Sequence, residues 1–287
     1  MLNGAVLLDK PPGTTSFGAL GPLKRGFDTR RIGHTGTLDP FASGLLIALI
    51  GKMTRLAGYV TDYGKEYLAT FRFGAETDTL DTEGKVLYRA PVPTEKAIRD
   101  ALPAFFGAID QRPPAFSAVH VAGVRAYRLS RSGQEVDIPP RRVVIHVFEA
   151  LDWDPPDLSV RIACGKGTYI RSLARDLGLA VGSRAYVREL RRTRIGPYSV
   201  DGAVSPEAGA EGQGLLTPRE FLALGGEVPE VAVGDEAAGR IRNGTNLTPG
   251  LLGRSPPGDG LFSVVHEGSV LALCRSQGGE LSYLAVL

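Results

Sequence analysis

The clearest hydrophobic pattern along the chain lies between residues 66 and 73, where apolar and polar positions alternate. One face of this alternation carries Tyr67, Phe71 and Phe73, and a period of two with aromatic residues predicts a β-strand. Shorter apolar runs predict further strands at residues 4–9, 142–151 and 158–164. Capped segments predict helices at residues 94–102 and 168–177.

The apolar segment at residues 41–50 is predicted to be a helix. Pro40 precedes it, and proline suits the first position of a helix, where a backbone N–H is not needed. The spacing between Gly44 and Gly51-Lys52 is wrong for a phosphate-binding loop, and the residues between them are apolar. This segment is therefore interpreted as a core helix and not as a nucleotide site.

The pattern changes after residue 200. Residues 201–227 are rich in Gly, Ala, Pro and Glu and show little periodicity, which is typical of a linker. Short strands are predicted at 261–265, 270–274 and 281–286, separated by turns that contain glycine. We expect a body at residues 1–227 and a small barrel-like β-module at 228–287. Prolines at both ends of 111–142 indicate an excursion from the main sheet.

Composition and charge limit the class of protein. The 287 residues are 43% hydrophobic, the longest apolar run is far shorter than a membrane span, and the two cysteines form no metal or redox spacing. These features favour a cytoplasmic protein. The net charge of +2 hides an asymmetry, because residues 1–200 hold 28 basic and 20 acidic residues while residues 201–287 hold 5 and 11. A basic body of this kind is suited to a polyanionic partner.

The octapeptide at residues 33–40, Gly-His-Thr-Gly-Thr-Leu-Asp-Pro, is the strongest candidate for chemistry. Its glycines allow a tight turn, and Asp39 would stand at the mouth of that turn. Taken alone, Asp39 could equally be the N-cap of a following helix. The four histidines are far apart in the sequence, and no spacing indicates a metal site.

A second segment, Gly165-Lys166-Gly167-Thr168-Tyr169-Ile170-Arg171, combines a glycine turn with a helix start. Arg171 and Arg175 could simply form a solvated face of that helix. A carboxylate that must stay ionised in a buried site, however, needs a counter-charge, and arginine supplies a planar and permanently charged one.

Together the two segments resemble the TruB-type pseudouridine synthases, bacterial enzymes that isomerise a T-loop uridine of tRNA. Four weaker matches support the resemblance, in the order Lys65-Glu66-Tyr67, Thr77-Asp78-Thr79-Leu80-Asp81, Gln111 to Ala118, and Leu190-Arg191-Arg192-Thr193. The matches span residues 4–198. The chain departs from the family pattern at Gly21-Pro22, inside a helix that the family keeps continuous, and at Val119-His120, where a lysine is more typical.

The resemblance implies a role for each matched residue. Asp39 would be the catalytic carboxylate and Arg171 its partner. Tyr67 would be a catalytic residue that mainly stacks on the flipped uracil, with a secondary role for its hydroxyl in proton transfer at C5. His34 would occupy the space that the base vacates, while Tyr169 and Leu190 would shape the pocket. Phosphates would be held by basic side chains, for which we expect Lys10, Lys65, Lys166 and the arginines at 184, 188, 191, 192 and 194.

The resemblance also implies an α+β fold, with a mixed, largely antiparallel sheet, flanking helices and a thumb-like insertion at about 111–142. Residues 228–287 would form a PUA-like RNA-binding β-barrel. The implied reaction cleaves the N1–C1′ bond of uridine 55, turns the flipped base and rejoins it through C5, without cofactor or metal. The expected partner is the tRNA elbow, the expected state a monomer, and membranes are not involved.

Two alternatives remain open at this point. The chain could be a non-catalytic module that folds and grips tRNA, or a synthase subunit that works with a guide RNA on ribosomal RNA. An isomerase needs Asp39 to be matched by Arg171, whereas a binding module does not. The chemical role of Asp39 also stays open between attack at C6, attack at C1′ and action as a base on the sugar.

Overall fold

Two antiparallel strands, β1 (Gly4–Lys10) and β3 (Ser43–Ile50), organise the N-terminal part of the computed structural model. They pair along their whole length, from Gly4 opposite Ile50 to Lys10 opposite Gly44. The short strands β2 (Ile32–His34) and β14 (Leu215–Leu216) pair with β3 and β1, respectively. The structure describes residues 2–116, 120–121, 124–125 and 138–287.

The predicted helix at 41–50 is wrong, because residues 43–50 form β3. Nearly every residue of this strand is buried, so apolar side chains face the core on both sides. A continuous apolar run has no period of two, and periodicity cannot distinguish it from a buried helix. Consequently Pro40 starts no helix, and Asp39 is not a helix cap.

Contacts between Cα atoms divide the chain into two compact units. The first unit contains Met1–Pro40, Gly44–Asp62 and Arg194–Leu287, and the second contains Phe41–Ser43 and Tyr63–Thr193. No helix in the described part of the chain is long and apolar enough to cross a membrane.

In the first unit, helix α1 (Gly21–Gly26) packs on the core beside β1. Gly21-Pro22 limits the helix to six residues, because Pro22 fits only near its start. Gly26 lies so close to the carbonyl oxygen of Ala210 that an added Cβ would approach it to 2.1 Å. Any larger residue at position 26 would push α1 away from that neighbour.

The second unit contains the strand order β12-β4-β11-β10-β7. The strands are β4 (Lys65–Phe73), β7 (Gly107–Gln111), β10 (Arg141–Asp154), β11 (Asp157–Cys164) and β12 (Ala185–Ile195). The predicted strands at 66–73, 142–151 and 158–164 are confirmed. Helices α3 (Glu95–Ala101) and α4 (Ile170–Ala180) are confirmed as well, with Thr94 capping the first through the amide of Ala97.

Strands β8 (His120–Val121) and β9 (Val124–Arg125) pair in the predicted excursion at 111–142. Val119 and most other residues of that stretch lie outside the described part of the chain. The remaining elements of the second unit are β5 (Ala75–Thr77), β6 (Val86–Arg89) and a 3₁₀ turn at Leu102–Phe105.

The C-terminal residues form a four-stranded sheet in the order β15-β16-β17-β18. Its strands are β15 (Glu230–Ala232), β16 (Gly260–His266), β17 (Ser269–Gln277) and β18 (Glu280–Val286). The three predicted strands are thus confirmed. In the described residues, the sheet does not close into a barrel, so the PUA-like barrel is not confirmed. Helices α7 (Asp235–Arg242) and α8 (Pro249–Leu252) cover a separate apolar core of this sheet.

Lys52 and Arg55 hold the end of the chain. Lys52 Nζ donates to the carbonyl of Leu287 at 3.0 Å, and Arg55 donates to that of Val286 at 2.6 Å. Both cations lie in the 3₁₀ turn at Gly51–Leu56, which follows β3. The first unit also contains α2 (Ala57–Thr61), β13 (Tyr198–Ser199), α5 (Pro206–Ala210), α6 (Pro218–Leu224) and 3₁₀ turns at Gly18–Leu20 and Val200–Gly202.

Candidate active site

Asp39 lies half-buried on the loop that follows β2, and the backbone on both sides of it is fixed. The hydroxyl of Ser16 accepts from the amide of Leu38 at 2.7 Å and donates to the carbonyl of Leu38 at 2.9 Å. On the other side, the amide of Gly13 donates to the carbonyl of Pro40 at 2.8 Å. The carboxylate is therefore placed by a loop whose main chain is bonded to the turn after β1.

Lys10 is the second anchor of this loop. Its side chain is fully buried, and Nζ donates to the carbonyls of Pro11, Thr14 and Pro40 at 2.9, 2.6 and 3.3 Å. We expected Lys10 to hold a phosphate, but a buried ammonium group with these acceptors is withdrawn from the surface that a phosphate meets. The structure gives Lys10 a structural role, in which it joins the end of β1 to the residue after Asp39.

The ring of His34 is oriented by the same loop. Its Nδ1 accepts from the amide of Gly36 at 3.3 Å, so a neutral ring carries its proton on Nε2. Gly36 has φ of 151°, a conformation that favours glycine and allows this short turn. The ring is half-buried at the end of β2.

Thr35 lies between His34 and Gly36 in the sequence and is completely buried. Its hydroxyl has no hydrogen-bond partner among the described residues. Its backbone is well held, because the amide donates to Ile47 and the carbonyl accepts from the hydroxyl of Thr61, each at 3.2 Å. A buried hydroxyl without a partner costs roughly 1–3 kcal/mol of stability. The loop that carries Asp39 thus contains one energetically unfavourable group.

In the second unit, Arg171 lies in the first turn of α4 and is almost fully buried. It pairs with Asp81 at 3.3 Å and donates to the carbonyls of Thr79 and Phe116 at 2.8 and 3.0 Å. The guanidinium group is therefore fixed in position by three residues of its own unit. Its expected pairing with Asp39 stays a prediction.

Asp81 is the residue that sequence reasoning left without a role. Its Oδ1 accepts from the hydroxyl of Thr79 at 2.5 Å and from the amide of Glu83 at 3.0 Å, and its carbonyl accepts from Thr77 at 2.7 Å. The Thr-Asp-Thr-Leu-Asp segment therefore forms a compact loop whose last carboxylate faces Arg171. The segment had been matched to the family, so the pattern was visible in the sequence although its purpose was not.

Tyr169 precedes α4, and its backbone is fixed by the buried side chain of Gln111. The amide group of Gln111 donates to the carbonyl of Tyr169 at 3.0 Å and accepts from its N–H at 2.8 Å. Tyr67 lies half-buried on β4 opposite Ile162, and Leu190 is buried on β12. These three expected pocket residues thus come from two neighbouring strands and a helix start of one unit.

The expected phosphate-binding residues differ in their availability. Arg184 binds Glu76 at 3.1 Å, Arg188 binds Asp157, and Arg192 is buried, so these arginines are largely engaged within the protein. Arg194 and Lys166 are exposed. Lys65 donates to the carbonyl of Tyr63 at 2.5 Å.

Neither cysteine is a candidate nucleophile. Burial raises the pKa of the Cys164 thiol to about 11, although Thr168 and Lys65 act in the opposite direction. Burial also raises the pKa of Cys274 to about 12. Within the described residues, three possible metal ligands (Asp235, His266 and Glu267) cluster where α7 begins and β16 ends, and two of the three are exposed.

Comparison with known proteins identifies the family of this chain. The family model for the N-terminal domain of TruB family pseudouridylate synthases matches residues 24–170, and the model for the C-terminal domain of tRNA pseudouridylate synthase B matches residues 171–208. A tRNA pseudouridine synthase B from Thermobifida fusca is 40% identical over 98% of this chain and 97% of its own. One from Bordetella pertussis is 46% identical over 72% of this chain and 86% of its own.

A crystal structure of a Cbf5-Nop10-Gar1 complex contains a chain that is similar to this one with a TM-score of 0.69. The two are 26% identical, and the match covers 99% of this chain and 83% of the other. The chain belongs to the TruB family of pseudouridine synthases and has the pseudouridine synthase fold, a mixed sheet with flanking helices.

Proposed function

We propose that this TruB-family chain isomerises uridine 55, in the T loop of tRNA, to pseudouridine. The observation that carries the proposal is the Asp39 loop, in which Ser16, Lys10 and Gly13 fix the main chain on both sides of a single half-buried carboxylate. Preorganised positioning of a reactive group is a major source of catalytic rate. Family membership supplies the reaction to which this carboxylate is applied.

The reaction is an isomerisation and its atoms balance within the nucleotide. The N1–C1′ bond breaks, the uracil turns, C1′ bonds to C5, and the proton lost from C5 is balanced by one gained at N1. Asp39 acts as nucleophile or base during this exchange. The base must first leave the stack of the loop, because a stacked base cannot be reached by a side chain.

The other expected site residues act on binding and orientation. Tyr67 stacks on the uracil, Tyr169 and Leu190 line the pocket, and His34 fills the space that the base leaves. Arg171 supplies the counter-charge of Asp39 while Asp81, Thr79 and Phe116 hold its guanidinium group. Exposed Lys166 is the best placed of the expected lysines for a phosphate, because it is not buried as Lys10 is.

The body, residues 1–227, is proposed to carry the chemistry, and residues 228–287 to form an RNA-contacting accessory domain. The separate sheet and apolar core of the C-terminal residues support this division. Because this part is acidic overall, its contribution to RNA affinity is expected to be modest and sensitive to salt. The cytoplasm, where tRNA is modified, is the proposed location.

The decisive experiment uses an unmodified tRNA transcript and the full-length protein. Wild type should convert one uridine to pseudouridine without any change in mass, detected by carbodiimide labelling and mapped to position 55. Asp39→Asn preserves shape but removes both nucleophile and base, so turnover should disappear while tRNA affinity changes by no more than a few-fold. Asp100→Asn, at an exposed carboxylate on α3, is the matched control and should behave as wild type.

Three results would contradict the proposal. An Asp39→Asn variant with a tenth or more of the wild-type turnover would remove Asp39 from the chemistry. Tight tRNA binding by wild type without conversion would favour the non-catalytic folding module. Conversion only in the presence of a guide RNA would favour the alternative of a guide-dependent synthase subunit.

A further inference from the structure

One aromatic side chain in the first unit lies on the surface without a role in the core. Phe17 is 66% exposed, although it lies in the same short segment as Ala19, Leu20 and Leu23, which are buried in the core cluster beside β1. A segment that already buries three apolar residues gains nothing for its fold by presenting a phenyl ring to water. A single exposed ring is ordinary on a protein surface, so it is the surroundings of Phe17 that indicate a ligand.

Phe17 is held in place by its neighbours. It follows Ser16, whose hydroxyl makes both hydrogen bonds to the backbone of Leu38. Leu20 and Leu23 anchor the following turn and α1 from below. The ring is thus attached, through one residue, to the loop that carries Asp39.

A cation accompanies the ring. The Nζ atom of Lys24 lies over the phenyl group, 3.6 Å from its centroid, and Lys24 belongs to the last turn of α1. The connection from Phe17 to Arg31 holds three further basic residues (Arg25, Arg30 and Arg31), all exposed, and one acidic residue, Asp28. An aromatic face within a cationic surface is the combination that binds unpaired nucleotides, because the ring stacks on a base and the cations meet phosphates.

We propose that Phe17 and Lys24 form a nucleotide-binding platform beside the catalytic loop, on which an unpaired base of the RNA substrate stacks. This inference rests on the proposed function for the identity of the RNA, since a tRNA loop supplies unpaired bases next to the target uridine. Phe17 contacts the base with the ring face that Lys24 does not cover, and Lys24 contacts the adjoining phosphate. The platform is a substrate-binding element and takes no part in bond making.

The platform is tested by substitutions in the full-length protein, with binding and single-turnover rates measured on a T-arm stem-loop RNA. Phe17→Ala and Phe17→Leu should each weaken binding about 5- to 100-fold, the range that corresponds to losing one base–aromatic stack. Phe17→Trp should bind as wild type or better, because it keeps a stacking face. Phe106→Ala removes an equally exposed phenyl ring (65%) from the second unit and should change nothing.

Lys24→Gln isolates the phosphate contact. It should make the slope of log K, where K is the RNA-binding constant, against log salt concentration shallower by about one, which corresponds to the loss of one phosphate contact. It should not change which loop sequences the protein prefers. Thermal unfolding of every variant is measured alongside. A variant that fails to fold is replaced in the comparison by Phe17→Leu and Phe17→Trp, which keep an apolar side chain.

The outcomes separate clearly. If Phe17→Ala binds RNA as tightly as wild type, the ring is unnecessary and the platform is overturned. If Phe17→Ala weakens binding and lowers the melting temperature while Phe17→Leu restores both, the ring serves only packing and the platform is again overturned. If wild type binds the stem-loop but forms no pseudouridine, the proposed function fails while the binding series still decides on Phe17. If wild type forms pseudouridine and all Phe17 variants match it, only the platform fails.

Discussion

The buried ion pair between Arg171 and Asp81 leads to the most demanding prediction, that Asp81→Ala strongly destabilises the second unit. The two side chains are 7% and 4% exposed, and their nearest charged atoms are 3.3 Å apart. At an effective dielectric constant of about 20, charges at this separation attract by roughly 5 kcal/mol. Removing one member of such a pair leaves the other buried without its counter-charge, which costs about 3–5 kcal/mol.

Two opposing effects keep the expected destabilisation by Asp81→Ala within about 3–5 kcal/mol. Arg171 retains its hydrogen bonds to the carbonyls of Thr79 and Phe116, which moderates the cost. Asp81→Ala also strands the hydroxyl of Thr79 and the amide of Glu83, which adds to it. Asp81→Asn can keep these last two hydrogen bonds and should therefore cost less than Asp81→Ala, near the lower end of that range, because it too removes the counter-charge of Arg171.

The assay is urea unfolding followed by tryptophan fluorescence. The chain has a single tryptophan, Trp153 on β10, which packs edge-to-face on Phe73 within the second unit and so reports on that unit. Glu149→Ala breaks an exposed pair with Arg161 on the same sheet and serves as the control, with an expected cost of about 0–1 kcal/mol. A double-mutant cycle with Arg171→Met then isolates the coupling between Arg171 and Asp81.

The losses of unfolding free energy in Asp81→Ala, Asp81→Asn and Glu149→Ala, ranked from largest to smallest, test whether Asp81 is the counter-charge of Arg171. If Asp81→Ala costs less than about 1 kcal/mol, or no more than Glu149→Ala, the carboxylate is not the counter-charge of Arg171 and the reasoning is refuted. If the order holds, Asp81→Asn should also reduce turnover, since it loosens an arginine that the chemistry is proposed to need. Tight tRNA binding by Asp81→Asn would show that the loss concerns the site and not the whole fold.

Three further substitutions follow from the structure. Thr35→Val removes a buried hydroxyl that has no hydrogen-bond partner among the described residues, so the melting temperature should rise by roughly 2–4 °C. A lower melting temperature would show that the hydroxyl has a hydrogen-bond partner in solution. Burial acts to raise the pKa of Asp157, but bonds from Arg72 and Arg188 outweigh it and lower the pKa below 3.8. Asp157→Asn should therefore lower the free energy of unfolding in urea by about 1–2 kcal/mol above pH 4, and this loss should disappear as the pH falls through the lowered pKa. A loss that persists at that low pH would contradict the pairing. Tyr67→Leu should slow single-turnover isomerisation about 5- to 100-fold because it removes the stacking face, whereas Tyr67→Phe keeps that face. If the Leu variant is unaffected, Tyr67 has only a packing role.

The sequence predicts strands well where one face is exposed to solvent or where glycine-containing turns bound a short apolar run. Strand β4 alternates because one of its faces packs in the core, and the C-terminal strands are short and bounded by glycine turns. Strand β3 fails the same test because both of its faces are buried. The information that distinguishes it from a helix is tertiary, since it lies in the pairing with β1 and β2.

The candidate site shows a similar division between local and distant information. Asp39, Arg171 and Tyr67 stand out because short motifs surround them. Their supports do not, because Gln111 is 58 positions from the Tyr169 backbone it holds, and Asp81 is 90 positions from Arg171. A single sequence carries no record of which distant residues meet, so a support of this kind is visible only as part of a family pattern.

Lys10 shows why residue type alone misassigns a function. Lysine beside Pro-Pro-Gly looks like a surface turn, and surface lysines near a tRNA-binding site are natural phosphate ligands. The acceptors that bury it are backbone carbonyls, which every residue possesses and which therefore leave no signature in the sequence. One of them belongs to Pro40, next to the proposed catalytic carboxylate of Asp39, so this positive charge is bonded to the main chain of the Asp39 loop. In the proposed function, the affinity for RNA comes from exposed cations such as those around α1, and this buried lysine helps to place Asp39.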